Sequence, residues 1–203
     1  MKYCICLLAL TASLNALSII SSQAQFNAFT ATNPASVDMD VFTTNTINDS
    51  DLNTSQANFS TPTGTVEIRI FIEAFINDID TNPLTVNFNG PVAGFGVIFT
   101  SPDVDNVIEF FDVGGNSLGV LSAGGNGNSN VLIDAVNIGG GNFFLGATVD
   151  AFEGIGSVQI TSSPNGFEIR EFLIGKTIPE PSTYLFGLFA LGLLYFRKSK
   201  TKQ

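Results

Sequence analysis

Residues 65–76 read Thr65-Val66-Glu67-Ile68-Arg69-Ile70-Phe71-Ile72-Glu73-Ala74-Phe75-Ile76. Every even position is aliphatic, while the odd positions mix Glu67, Arg69 and Glu73 with Phe71 and Phe75. Successive side chains of an extended strand point to opposite faces, so the alternation describes one strand with an aliphatic core face and a mixed outer face. A helical stripe would need apolar residues at spacings of three and four instead. The same period-two pattern, bounded by glycine, asparagine and proline, recurs at 85–88, 94–100, 106–113, 117–122, 131–138, 142–148, 157–161 and 166–174. Gly114-Gly115-Asn116 separates two of these runs and suits a tight hairpin turn, because glycine and asparagine accept positive φ. Gly139-Gly140-Gly141 precedes a strand and reads as a second turn. Residues 124–130 hold only glycine, asparagine and serine and read as a mobile loop, and the Thr/Asn/Ser-rich stretch 43–64 reads as a long loop or a poorly ordered edge. Short strands at this spacing predict an all-β fold, an antiparallel β-sandwich.

With 203 residues the chain has room for one such domain plus terminal signals. Between positions 25 and 178 stand 17 acidic residues against three bases (Arg69, Arg170 and Lys176), a net of −14. Such a surface repels nucleic-acid phosphates, so no nucleic-acid partner is expected. Histidine is absent from the whole sequence, which removes the commonest general base and metal ligand together. Neither a Ser-His-Asp nor a Cys-His arrangement can be built, and no enzyme is expected. Both cysteines, Cys4 and Cys6, lie in the first apolar run, so a disulfide framework is excluded once that run is removed.

The two ends read as addresses. Lys2, the apolar run 3–12 with further apolar residues to Ile20, and Ser22-Gln23-Ala24 make the charge, core and small-residue cut site of a secretory signal peptide over residues 1–24, with a signal helix. Signal peptidase is expected to cut after Ala24, handing residues 25–177 to the export machinery as the β domain. Residues 178–203 form the other address: Pro179-Glu180-Pro181-Ser182-Thr183, an unbroken apolar segment 184–196, then Arg197-Lys198-Ser199-Lys200-Thr201-Lys202. As a helix the apolar segment spans about 20 Å against a hydrocarbon core of roughly 30 Å, which suits transient retention in the inner membrane better than permanent anchoring. Arg197, Lys198 and Lys200 belong on the cytoplasmic side. Pro179 and Pro181 cannot continue a helix and keep the stretch before the membrane extended.

This order of Pro-Glu-Pro box, short apolar helix and basic end resembles the PEP-CTERM sorting signal, with Ile178 where valine is common. The resemblance implies an exosortase as processing partner, a membrane-embedded cysteine transpeptidase that cuts near Pro179, Glu180, Pro181 and Ser182. It also implies delivery to the cell surface or an extracellular matrix of a Gram-negative bacterium that makes exopolysaccharide, itself a candidate partner. A second resemblance runs through Gly94-Phe95-Gly96-Val97-Ile98-Phe99, Ile108-Glu109-Phe110-Phe111-Asp112-Val113, Phe143-Phe144-Leu145-Gly146 and Phe167-Glu168-Ile169-Arg170-Glu171-Phe172. These runs are similar to the jelly-roll sandwich of PEP-CTERM proteins, which is itself similar to carbohydrate-binding modules. Such domains often end with an Asp-Asp pair where this chain has Arg170-Glu171.

Three acidic pairs recur, at Asp49 and Asp51, Asp78 and Asp80, and Asp103 and Asp105, each with an asparagine nearby. Alternating oxygen ligands on a tight loop suit calcium, which takes six to eight oxygens, and Asp78, Asp80, Asp103 and Asp105 are the best candidates. The same residues also mark turns by bonding their own backbone, and both readings stand. No other cofactor is expected. As a glycosidase pair, Glu67 and Glu73 lie about 20 Å apart along one strand, and Glu168 and Glu171 fall on opposite faces. Without tryptophan, stacking on sugars would fall to Phe71, Phe75, Phe111 and Phe144. The sequence thus predicts an exported surface or matrix protein with a structural or adhesive β domain. A calcium-dependent carbohydrate-binding module is the alternative, and a carboxylate-based glycan hydrolase comes third.

Overall fold

The apolar alternations become strands of two antiparallel sheets. A computed structural model describes residues 17–42, 46–69, 73–76, 83–125, 132–150, 154–162 and 166–179. In chain order its elements are β1 (Ser18–Ile19), α1 (Gln23–Thr30), β2 (Ala35–Asp38), β3 (Thr46–Asn48), β4 (Ala57–Ser60), β5 (Thr65–Arg69), β6 (Glu73–Ile76), β7 (Leu84–Val92), β8 (Gly94–Phe99), β9 (Val107–Phe111), β10 (Ser117–Ser122), β11 (Val136–Gly139), β12 (Asn142–Thr148), β13 (Ile155–Thr161) and β14 (Phe167–Ile174). One sheet runs β1-β12-β8-β14-β6-β5-β3, with β11 also on β12 and β2 also on β14, and the other runs β10-β9-β13-β7-β4.

The sheets face each other through aromatic rings. Phe95 of β8 meets Phe110 of β9 at 6.5 Å between centroids, and Phe59 of β4 meets Phe172 of β14 at 5.1 Å. Val97, Phe99, Phe167 and Ile169 from one sheet and Val86, Ile108, Val158 and Ile160 from the other are fully buried between them. The all-β sandwich is therefore observed. The expected tail helix at 184–196 and residues 1–16 of the expected signal helix lie outside the described residues. Among those described, no helix is long and apolar enough to cross a membrane.

Residues 65–76 are two strands, not one. β5 and β6 pair with Glu67 opposite Phe75, Ile68 opposite Ala74 and Arg69 opposite Glu73. Each pair joins positions of equal parity, so the period-two alternation passes through the reversal without a change of phase. A continuous strand of that length would also extend about 40 Å. Positions 67 and 73 become diagonal neighbours on a hairpin, about 7–8 Å apart, rather than the two ends of a strand. The stretch 43–64 likewise contains strands: β3 and β4 close an edge of each sheet, with Ile47, Ala57 and Phe59 buried. Between them Asp49–Leu52 form a 3-10 turn, in which Asp51 Oδ2 accepts from the Asn48 backbone at 3.0 Å and Asp49 Oδ2 accepts from Thr61 N at 2.8 Å.

The expected hairpin at Gly114-Gly115-Asn116 joins β9 to β10, with Gly115 at φ +80°. Glycines 139–141 all take positive φ and connect β11 to β12. β14 carries a bulge that the alternation did not reveal: its register on β8 shifts between Ile169 and Glu171. Phe167 and Ile169 point inward before the bulge and Phe172 and Ile174 after it, leaving Arg170 and Glu171 both half-exposed. Glu168 and Glu171 are consequently not on opposite faces.

Outside the first sheet, α1 covers a second, smaller core of Ile20, Phe29, Phe144 and Leu173. Ser22 caps the helix, its Oγ accepting from Gln25 N at 3.3 Å. Phe144 lies fully buried beneath Phe26 at 4.9 Å and Phe29 at 6.0 Å, so it is no surface platform for a sugar. Phe71 and the side chain of Phe75 lie outside the described residues, while Phe111 is half-exposed.

Candidate functional site

The end of β14 continues past Ile174 along the start of β8. Gly175 N donates to Gly94 O at 2.8 Å, Lys176 O accepts from Ala93 N at 2.9 Å, Thr177 bridges Val92, and Ile178 N donates to Pro91 O at 2.6 Å. A Cβ on Gly175 would lie 2.8 Å from both N and O of Gly94, so only glycine allows this approach. Ile178 is 7 % exposed and packs into the main core, whereas Pro179 is exposed. Burial therefore ends between Ile178 and Pro179. Glu180, Pro181, Ser182, Arg197, Lys198 and Lys200 follow outside the described residues.

Of the calcium candidates, Asp103 and Asp105 share the turn entering β9, where Asn106 N donates to Asp103 O at 3.1 Å. Asp78 and Asp80 lie outside the described residues. Among the described residues no group of three or more Asp, Glu, His or Cys side chains gathers at one point. Asp112, at the hairpin, holds its carboxyl below the usual carboxylate range. The side-chain bond from Asn116 does most, followed by the Asn116 backbone, with slight burial opposing and the Gly114 and Gly115 backbones adding to the lowering. The distances are 2.9 Å from Asn116 Nδ2 and 2.8 Å from each of the Asn116 and Gly114 amides.

Among the described residues, three surface depressions bear on function. One of about 360 Å³ includes Asn87, Asn89, Asp112, Gly156, Ser157 and the Pro91 on which Ile178 docks. Its Asn89 accepts from Asn58 Nδ2 at 2.6 Å and donates to Ser55 O at 3.1 Å. A second, about 250 Å³, lies over the β14 bulge, where Arg170 Nη1 donates to Asn142 Oδ1 at 2.9 Å. The third, about 380 Å³, lies between α1 and the sheet and is mostly apolar, lined by Ile19, Ile20, Phe29, Thr148, Gly175 and Lys176 among others. A fully buried polar pair escaped sequence reasoning: Asn106 Nδ2 donates to Ser101 O at 2.7 Å and Ser162 Oγ to Asn106 Oδ1 at 3.0 Å. No local pattern links positions 106 and 162.

Residues 177–198 match the PEP-CTERM protein-sorting motif. The chain carries a PEP-CTERM sorting signal. Its first two residues, Thr177 and Ile178, are the ones docked on Val92 and Pro91, and its remainder follows the exposed Pro179. No curated protein matches the chain in sequence. A solved family 6 carbohydrate-binding module, studied by dissection of its binding sub-sites, is similar at 15 % identity over 70 % of this chain and 94 % of that one, with a TM-score of 0.29. At that score the two backbones differ widely, and the architecture described above stands on its own strand pairings.

Proposed function

We propose that this is an exported surface or extracellular-matrix protein whose PEP-CTERM tail is processed by a membrane exosortase, and whose jelly-roll-like sandwich has a structural or adhesive role without catalysis. The observation that carries the reading is the motif match over residues 177–198. The apolar segment 184–196, about 20 Å as a helix, holds the exported chain transiently at the inner membrane. The bases Arg197, Lys198 and Lys200 keep its far end cytoplasmic. The net of −14 over residues 25–178 keeps the released domain soluble and suits a hydrated polymer matrix. Deleting residues 179–203 in the native host is expected to abolish the surface-held fraction. An unchanged surface fraction would end this reading.

A glycan-binding role draws on one feature, the polar depression at Asn87, Asn89, Asp112 and Ser157. Calorimetry with exopolysaccharides, with and without calcium, tests it, and a flat response in both removes it.

A further inference from the structure

The folded body takes up chain at both ends that sequence reading assigned to disposable signals. At the N-terminal end Ile19 pairs with Ala147, and Ile20 N donates to Gly146 O at 3.0 Å. Ile20 is 3 % exposed within the outer core, and Ser22 caps α1. A cut after Ala24 would remove all of these at once. It would strip residues 146–148 of β12 of their partner on the edge that β11 covers only at 142–144, leaving unpaired amides and carbonyls of the kind that invite foreign strands, and would take Ile19 and Ile20 from the wall of the 380 Å³ cavity. At the C-terminal end the four residues after β14 are bonded along Pro91 to Gly94, down to a buried Ile178.

We infer that maturation leaves the span from Ile19 to Ile178 whole, with signal peptidase cutting no later than Ser18 and the tail being cut beyond Ile178. Ala16 and Ser18 supply the small residues at the third and first positions before such a cut, and a signal of about 18 residues lies within the usual range. The C-terminal half rests on the reading as an exosortase substrate. Five residues, 179–183, separate the docked Ile178 from the apolar segment. Fully extended they reach about 17 Å, so the cut falls in that window and the Pro91 end of the sandwich stays near the bilayer until then.

Intact mass with terminal peptide mapping of the protein from the native host tests both ends. The expected N-terminus is one made by cleavage, at Ile19 or upstream of it but after Met1, unchanged in Ala24→Phe, whose site is exposed on α1 and tolerates the ring. An N-terminus at Gln25, an uncleaved Met1, or a block of maturation by Ala24→Phe overturns that half. The expected C-terminus lies within 178–183, and one at or before Thr177 overturns the other half. Should the chain run to Gln203 both with and without the host exosortase, the processing reading fails. The docking is then judged on that uncut chain by limited proteolysis: trimming that stops beyond Ile178 supports it, and trimming that runs through Thr177 overturns it.

Discussion

Gly96 of β8 and Gly146 of β12 stand opposite each other in the first sheet, and the ring of Phe144 lies across both. An added Cβ at Gly96 would fall on Phe144 Cζ, with Cε2 at 2.6 Å and Leu145 O at 2.9 Å. At Gly146 the ring is again met at 2.6 Å, but backbone also blocks, with Gly96 Cα and Phe95 O each at 2.7 Å. Gly96→Ala is therefore expected to destabilise the domain by about 1–3 kcal/mol through overpacking. Phe144→Ala, which empties a fully buried site, should cost about 3–5 kcal/mol. In the Phe144→Ala background the ring is gone but Leu145 O still meets the Cβ at 2.9 Å, so Gly96→Ala should cost less than it does beside the ring without becoming free, a coupling of roughly 1 kcal/mol. Gly146→Ala should keep most of its cost in either background, since backbone cannot step aside. Urea unfolding followed by circular dichroism gives the four corners of each cycle, at constant slope with denaturant. Equal costs for Gly96→Ala in both backgrounds, or equal rescue of Gly146→Ala, would refute the packing described here.

Other substitutions probe the polar features. Asn106→Leu removes the bonds to Ser101 O and from the Ser162 hydroxyl inside a fully buried site and should cost about 2–4 kcal/mol, against about 1 kcal/mol for Ser162→Ala, both read by thermal melting. Asp112→Asn should cost about 0.5–1 kcal/mol at neutral pH, where the charged turn bonds are intact. Because the folded carboxyl titrates below its unfolded value, that gap should hold above about pH 4 and close as pH falls through the folded pKa, which melting curves across pH would show. Ile178→Ser should lower the melting temperature by several degrees, at about 2–4 °C per kcal/mol for a domain of this size, whereas Pro179→Ser, at an exposed site, should leave it unchanged.

Much of the sandwich was legible because its core strands are short apolar runs bounded by glycine, asparagine and serine: 94–100, 117–122 and 142–148 reappear as β8, β10 and β12 with shifts of a residue or less. What escaped notice did so for definite reasons. The β5–β6 reversal preserves parity, so alternation is blind to it. The β14 bulge inserts one residue that moves Glu171 to the side of Glu168, and only pairing with β8 reveals it. β3 and β4 bury just Ile47, Ala57 and Phe59 amid threonine, asparagine and serine, too little apolar signal to outweigh turn-forming composition. α1 sits where small residues also suit a signal cleavage site, and Phe144 looked available because nothing in its own strand announces the helix that covers it. The sorting tail was legible because its parts are consecutive in sequence. The docking of Thr177 and Ile178 was not, since it depends on Pro91 and Val92, more than eighty positions away.

If residues 177–203 are the address that an exosortase reads, as proposed, they should redirect another exported chain. The most direct test transplants that segment onto an unrelated exported reporter in the native host, with the exosortase present or deleted, and measures the reporter's mass and surface fraction. A shortened reporter is expected at the surface only where the exosortase is present. A reporter of the same mass and location in both strains would contradict it.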